Sequence, residues 1–135
     1  MRRVVVTGVG LVSPLGVNAT TSWKNLVAGQ SGIRTIEGLD LDALPVTIAG
    51  QVPHGNSAEG LFNPDDWMPA KERRKTERFI VYALAAASQA FQDAGWSPET
   101  DQEKERTGVS IGSGIGGLHR IYENSVALHE GGARK

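Results

Sequence analysis

Gly112, Gly114, Gly116 and Gly117 fall within six residues, directly after the run Thr107-Gly-Val-Ser-Ile111. Each glycine gives up extra backbone entropy on folding, so such a cluster belongs where the chain bends sharply or another group approaches its backbone closely. A strand that ends in this kind of turn and opens a helix presents unpaired N–H groups, which suits an anion or the polar end of a substrate. Gly112, Gly114 and Gly117 also satisfy the spacing G-x-G-x-x-G of a dinucleotide-binding turn. That pattern further asks for an acidic residue at a second strand end about 20 residues on. No such residue can be placed, and the chain stops before the second strand of a βαβ unit. A tight strand-to-helix turn with close backbone packing accounts for the same residues.

The second cluster is basic. Lys71-Glu-Arg-Arg-Lys-Thr-Glu-Arg78 holds five positive and two negative side chains, in a chain whose net charge is −1. On a continuous helix Lys71, Arg74, Lys75 and Arg78 share one face, at i, i+3, i+4 and i+7. Such a face is either a solvated helix surface or a docking site for an anionic partner. The patch is small and the chain is acidic overall, so an acidic protein surface fits better than nucleic acid.

Other chemistries find little support. His54, His119 and His129 lie far apart with no H-E-x-x-H spacing, and there is no cysteine, so no metal site is expected. Hydrogen-bonded or solvated histidines are the expectation. Gly112-Ser113-Gly114 lacks the spacing of a hydrolase elbow, so Ser113 is not expected to be a nucleophile. The turn Gly8-Val9-Gly10 follows an apolar run, but the third fingerprint glycine would fall on Ser13. The apolar run Val4–Val6 is too short for a signal peptide core or a membrane span, which makes the cytoplasm the default compartment and a membrane no partner.

The elements that must position these clusters follow from hydrophobic pattern and punctuation. The chain has 135 residues, 39% of them hydrophobic, enough for one domain or a piece of one. Residues 3–12, β-branched and closed by Ser13-Pro14, predict a buried strand. Residues 18–28 predict a helix capped by Asn18, with Trp23, Leu26 and Val27 on its inner face and Gly29 as terminator. Residues 30–44 and 53–62 predict loops, and 45–52 a short strand. Asn63-Pro64-Asp65-Asp66 is a helix start, interrupted by Pro69. Residues 70–94 predict one helix ending at Gly95, apolar on almost every face in its second half and therefore buried. Residues 96–106 predict a charged linker and 108–111 a strand. Leu118, Ile121, Tyr122 and Val126 then space out as a helix face ended by Gly131-Gly132. Alternation of strands and helices predicts an α/β class with layered helices.

These segments together resemble one family. Val4-Val-Val-Thr-Gly-Val-Gly-Leu-Val-Ser-Pro-Leu-Gly16, the stretch from Trp23 through Gly32, the basic run Lys71–Lys75 followed by Phe79-Ile-Val-Tyr-Ala83, and Ile111-Gly-Ser-Gly-Ile-Gly-Gly117 are similar, in this order, to β-ketoacyl-acyl-carrier-protein synthases, with the type II branch as the best match. The resemblance covers essentially the whole chain. It implies a thiolase-like layered α/β fold of two similar halves, of which 1–135 is the N-terminal part of the first. It also implies a homodimer working without a cofactor. The implied reaction is decarboxylative Claisen condensation, in which a cysteine takes an acyl chain from acyl carrier protein and two histidines assist decarboxylation of the malonyl-loaded carrier.

By the same resemblance Lys71, Arg74 and Lys75 form the carrier-docking surface, with Arg134 and Lys135 as an extension, and Gly114 and Ile115 line the acyl pocket. The family's nucleophilic cysteine and catalytic histidines match nothing here, so residues 1–135 alone are expected to be inactive in condensation. They are also expected to be partly disordered, aggregated, or held by complementary segments. The two functional classes that follow are a piece of a condensing enzyme and a non-catalytic carrier-binding module.

Overall fold

The computed structural model describes residues 2–133. Its elements are α1 (Ala19–Val27), β1 (Ile33–Thr35), β2 (Ile48–Gly50), two 3-10 turns (Ser57–Glu59 and Pro64–Asp66), α2 (Ala70–Arg73), α3 (Arg78–Ala94), α4 (Asp101–Glu105) and α5 (Leu118–Gly131). β1 and β2 pair antiparallel, with Arg34 opposite Ala49. The core sits beneath α3: Phe62, Met68, Val81 and Ala85 are buried, and Val12, Val17, Val52, Trp67 and Tyr82 pack around them.

Residues 3–12, expected as a buried strand, are extended but carry no strand ladder, and Val4 is 95% exposed. A strand needs a hydrogen-bonded neighbour, and the described residues provide none for this segment. One of its faces is nonetheless seated. Gly8 and Gly10 alternate onto the same side and lie on α3, where an added Cβ at position 10 would strike the Ala86 carbonyl and approach Ala90 N to 2.8 Å. Side chains of α3 take the place of a ladder here. Val9 N–H donates to Asp93 Oδ2 at 2.8 Å, and Leu11 N–H donates to Gln89 Oε1 at 3.3 Å. The expected strand at 108–111 is likewise extended and unpaired. It lies beside Gly10, Ala83, Ala86, Ala87 and Ala90 across a cleft of about 380 Å³.

α1 begins as expected, with Asn18 Oδ1 accepting from Thr21 N–H at 2.8 Å, and closes at Gly29 with φ +69°. Its inner face is a correction. Trp23 is 66% exposed, and Leu26 and Val27 are exposed too. The buried side is polar: Ser22 Oγ donates to the Gly16 carbonyl at 3.1 Å and Asn25 Nδ2 donates to the Leu15 carbonyl at 2.7 Å. These two bonds fix which way the helix faces.

The single helix expected over 70–94 is two. α2 ends at Arg73, the next residues turn, and Glu77 is extended (φ −78°, ψ 154°) before α3 starts. The break has a local cause. Thr76 Oγ1 donates to the Glu72 carbonyl at 2.9 Å, while Lys75 N–H reaches Glu72 and Thr76 N–H reaches Arg73, so α2 tightens into i→i−3 bonds and stops. α3 then runs to Gly95 (φ +59°) as expected, with Val81 and Ala85 fully buried but Ile80 and Leu84 more than a third exposed. The linker at 96–106 contains α4, opened by a capping box in which Thr100 and Glu103 bond reciprocally. β1 lies inside the segment read as loop, and the helix start at Asn63 opens only one 3-10 turn.

Candidate functional site: an exposed basic turn and a glycine turn beside it

Lys71, Arg74 and Lys75 are all exposed, and none has an acidic partner among the described residues. Their basic neighbour Arg73 is instead neutralised by Asp65 at 2.8 Å. The helix break places these cations on α2 and the turn that follows it, not on one continuous helix face, and it detaches Arg78 from the other three. Three exposed cations without an acidic partner among the described residues attract an anionic surface through solvent. Arg134 and Lys135, expected to extend the patch, lie outside the described residues.

The glycine turn stands next to this segment. Gly117 has φ +75° and caps α5, so a side chain at that position would be strained. Gly116 lies flat against Phe79, the second residue of α3, where an added Cβ would come 2.6 Å from the ring. A Cβ added at Gly114 would meet nothing within 4 Å, and Ile115 is 78% exposed among the described residues. For a dinucleotide site the turn lacks its frame: residues 108–111 join no ladder, and no parallel sheet exists among the described residues from which a βαβ unit could be built.

A cleft of about 1270 Å³ opens between the β1–β2 hairpin, α3 and α5. On its wall His54 Nε2 and Tyr82 Oη are 2.6 Å apart, and Phe62 packs edge-on against both rings. Burial, and secondarily the Arg78 charge, hold the His54 pKa below its ordinary value. Burial raises Tyr82, an effect Arg78 partly offsets. A neutral imidazole satisfied by a phenol is a structural pair. His119 instead lies 3.1 Å from Glu123, one helical turn on. No group of three metal-ligating side chains comes together among the described residues, and no helix there is long and apolar enough to cross a membrane.

Sequence reasoning missed Arg120. Its Nη2 donates to the Arg74 carbonyl at 2.6 Å, and its Nε lies 3.5 Å from Glu77 Oε1. Nothing local signals this contact, which joins residues 46 apart.

A glycine-flanked turn seated on a helix thus stands beside an exposed cationic turn, with an extended glycine segment laid on the same helix. Similarity to known proteins gives this arrangement its family. The family described as Beta-ketoacyl synthase, N-terminal domain, matches residues 1–135, and the chain belongs to that family. More particularly, it is 49% identical over its full length to 3-oxoacyl-[acyl-carrier-protein] synthase 2 of Rhizobium meliloti (strain 1021), covering 32% of that protein. It is 44% identical over 99% of its length to the synthase of the same name from Vibrio cholerae, covering 30% of it. Among solved structures, the ishigamide ketosynthase/chain length factor matches with a TM-score of 0.58 at 34% identity, over 71% of this chain and 22% of that one. The fold is therefore the thiolase-like α/β class. The chain spans about a third of the length of the curated relatives it matches.

Proposed function

We propose that this chain is the N-terminal part of a condensing enzyme that elongates acyl chains on acyl carrier protein, by decarboxylative Claisen condensation with the malonyl-loaded carrier, in fatty acid biosynthesis. The observation that carries this reading is full-length similarity to two proteins named 3-oxoacyl-[acyl-carrier-protein] synthase 2. Condensation needs a nucleophile that holds the acyl group as a thioester and a base-and-donor pair that handles the malonyl carboxylate and enolate. None of these 135 residues is cysteine, so the thiol is not among them. The part assigned to this chain is recognition. Lys71, Arg74 and Lys75 receive the acidic carrier, while Gly114 and Ile115 form part of the wall along which the acyl chain lies. The working assembly is a homodimer in the cytoplasm, with no cofactor.

The docking role rests on three exposed cations on one short segment, without acidic partners among the described residues. Exposed charges of this kind contribute roughly 0.2–1 kcal/mol each, mainly through encounter rate and register. Reversing two of them adds repulsion to the lost attraction. In the intact gene product, Lys71→Glu with Arg74→Glu is expected to reduce use of carrier-bound acyl groups at least ~10-fold, about 1.4 kcal/mol. Transfer from a small neutral thioester should stay unchanged. The loss should shrink as salt rises, because the Debye length is about 8 Å at physiological ionic strength and shorter above it. Equal loss with both substrates would make the charges structural and end the docking assignment.

A further inference from the structure

We infer that Arg120 is a positioning residue for carrier docking: it holds the turn bearing Arg74 and Lys75 in place from the first turn of α5. The inference rests on the docking role proposed above, and it adds a residue that touches neither carrier nor acyl chain.

The geometry is specific. One edge of the Arg120 guanidinium, Nε and Nη2, addresses both ends of the turn between α2 and α3. Nη2 donates to the carbonyl of Arg74, the residue that caps the C-terminus of α2. Nε faces the carboxylate of Glu77, the extended residue that precedes α3. A planar fork can fix two points at a set spacing, which a flexible ammonium does less well. The contacts also respond to need. Glu77 Oε1 is buried and has no hydrogen bond of its own, so the Arg120 charge at 3.5 Å is what compensates it. The carbonyl at a helix C-terminus carries partial negative charge and favours a cation.

The same region ties in the glycine turn. Gly117, three residues before Arg120, has its α-carbon so placed that an added Cβ would lie 3.4 Å from Glu77 Cγ, and Gly116 rests on Phe79. Arg120 therefore joins the docking turn and the glycine turn into one packed unit. Its charge is matched by Glu77, while Lys71, Arg74 and Lys75 are unmatched among the described residues. Its contribution is the placement of the docking cations and not the long-range field.

That distinction gives the test. In the intact gene product, Glu77→Gln with Arg120→Met removes one charge of each sign and leaves net charge unchanged. KM for the acyl group delivered on acyl carrier protein is expected to rise about fivefold, the scale of one ordinary hydrogen bond. The turnover number, use of a small neutral thioester and the salt dependence of KM should all remain at their original values. An unchanged KM, or equal loss with carrier and thioester, overturns the inference. If the paired variant proves unfolded by circular dichroism, Arg120→Lys decides instead, since it keeps the charge without the fork. An intermediate KM with full thioester use supports the inference, and an original KM overturns it. Lys71→Glu with Arg74→Glu, assayed alongside, separates the two claims. If that variant shows no carrier-specific loss, the docking reading fails and takes this inference with it. If it shows the loss and the Glu77–Arg120 pair does not, only the positioning role fails.

Discussion

Gly10→Ala is expected to be strongly destabilising, because no other glycine compared brings an added Cβ so close to backbone. The added carbon would run into the α3 backbone: the Ala86 carbonyl, and the Ala90 nitrogen at 2.8 Å, where ordinary contact is 3.4–4 Å. A flexible side chain can swing away from such a clash, but helix backbone cannot. The extended segment must therefore lift off α3. Lifting strains the bond from Leu11 N–H to Gln89 and that from Val9 N–H to the Asp93 carboxylate. Overpacking of a closed contact costs about 1–3 kcal/mol. Weakening the two bonds adds about 1–2 kcal/mol, since a bond to a charged acceptor is worth more than a neutral one. The sum is about 2–5 kcal/mol. Gly29→Ala is the internal reference. Gly29 has φ +69° and open space around it, so alanine there meets only backbone strain of about 1–2 kcal/mol. The assay is urea unfolding of both variants of the intact gene product, read as midpoint shifts at constant slope. A Gly10→Ala midpoint equal to or above that of Gly29→Ala would show that the approach of this segment to α3 is not tight, and the reasoning would fail.

Two further outcomes follow from the same structure. The folded-state pKa of His54 lies below its ordinary 6.5, so below pH 6.5 the unfolded chain binds the extra proton more readily. Stability should fall as pH drops from 6.5 through the folded value and level off below it. His54→Gln should flatten this acid limb, and an unchanged limb in that variant would exclude His54 as its source. At the glycine turn, Ile115→Phe in the intact gene product should slow long acyl primers more than short ones, because a larger side chain on the proposed pocket wall shortens the space available. Unchanged relative rates across primer lengths would remove Ile115 from the acyl pocket.

How much of this was legible in the sequence varies with the distance over which each feature is decided. Asn18, Gly29, Gly95 and Gly132 mark helix ends through contacts within their own turn, and each does so in the structure. The capping box at Thr100 and Glu103 was equally readable from its T-x-x-E spacing, yet charge content alone led to a linker. The break after Arg73 was harder to see. Nothing in the composition of 70–94 requires Thr76 to bond the Glu72 carbonyl, and a continuous helix satisfies the same pattern. The segments 3–12 and 108–111 have strand-like sequences without ladders, because pairing depends on a partner that a single segment does not encode. The expectation for α1 failed for a related reason. Apolarity at Trp23, Leu26 and Val27 says that a face can be buried, but the Ser22 and Asn25 hydrogen bonds decide which face turns inward.

The site depends on the small residues of α3 as much as on its own charges. Ala86, Ala90 and Ala94 leave one side of that helix low enough for the backbone at Gly8 and Gly10 to lie directly on it. At the helix N-terminus, Phe79 presents the flat surface that seats Gly116. Bulk at any of the three alanines would push the extended segment outward, and an added side chain at Gly116 would push the glycine turn off Phe79. Either displacement leaves Lys71, Arg74 and Lys75 unaltered in identity and charge. Yet the second also shifts Arg120, and with it the Arg74 carbonyl that it holds. The charge proposed for docking can therefore be preserved in sequence while its geometry is lost, with Arg120 as the residue proposed to transmit that loss.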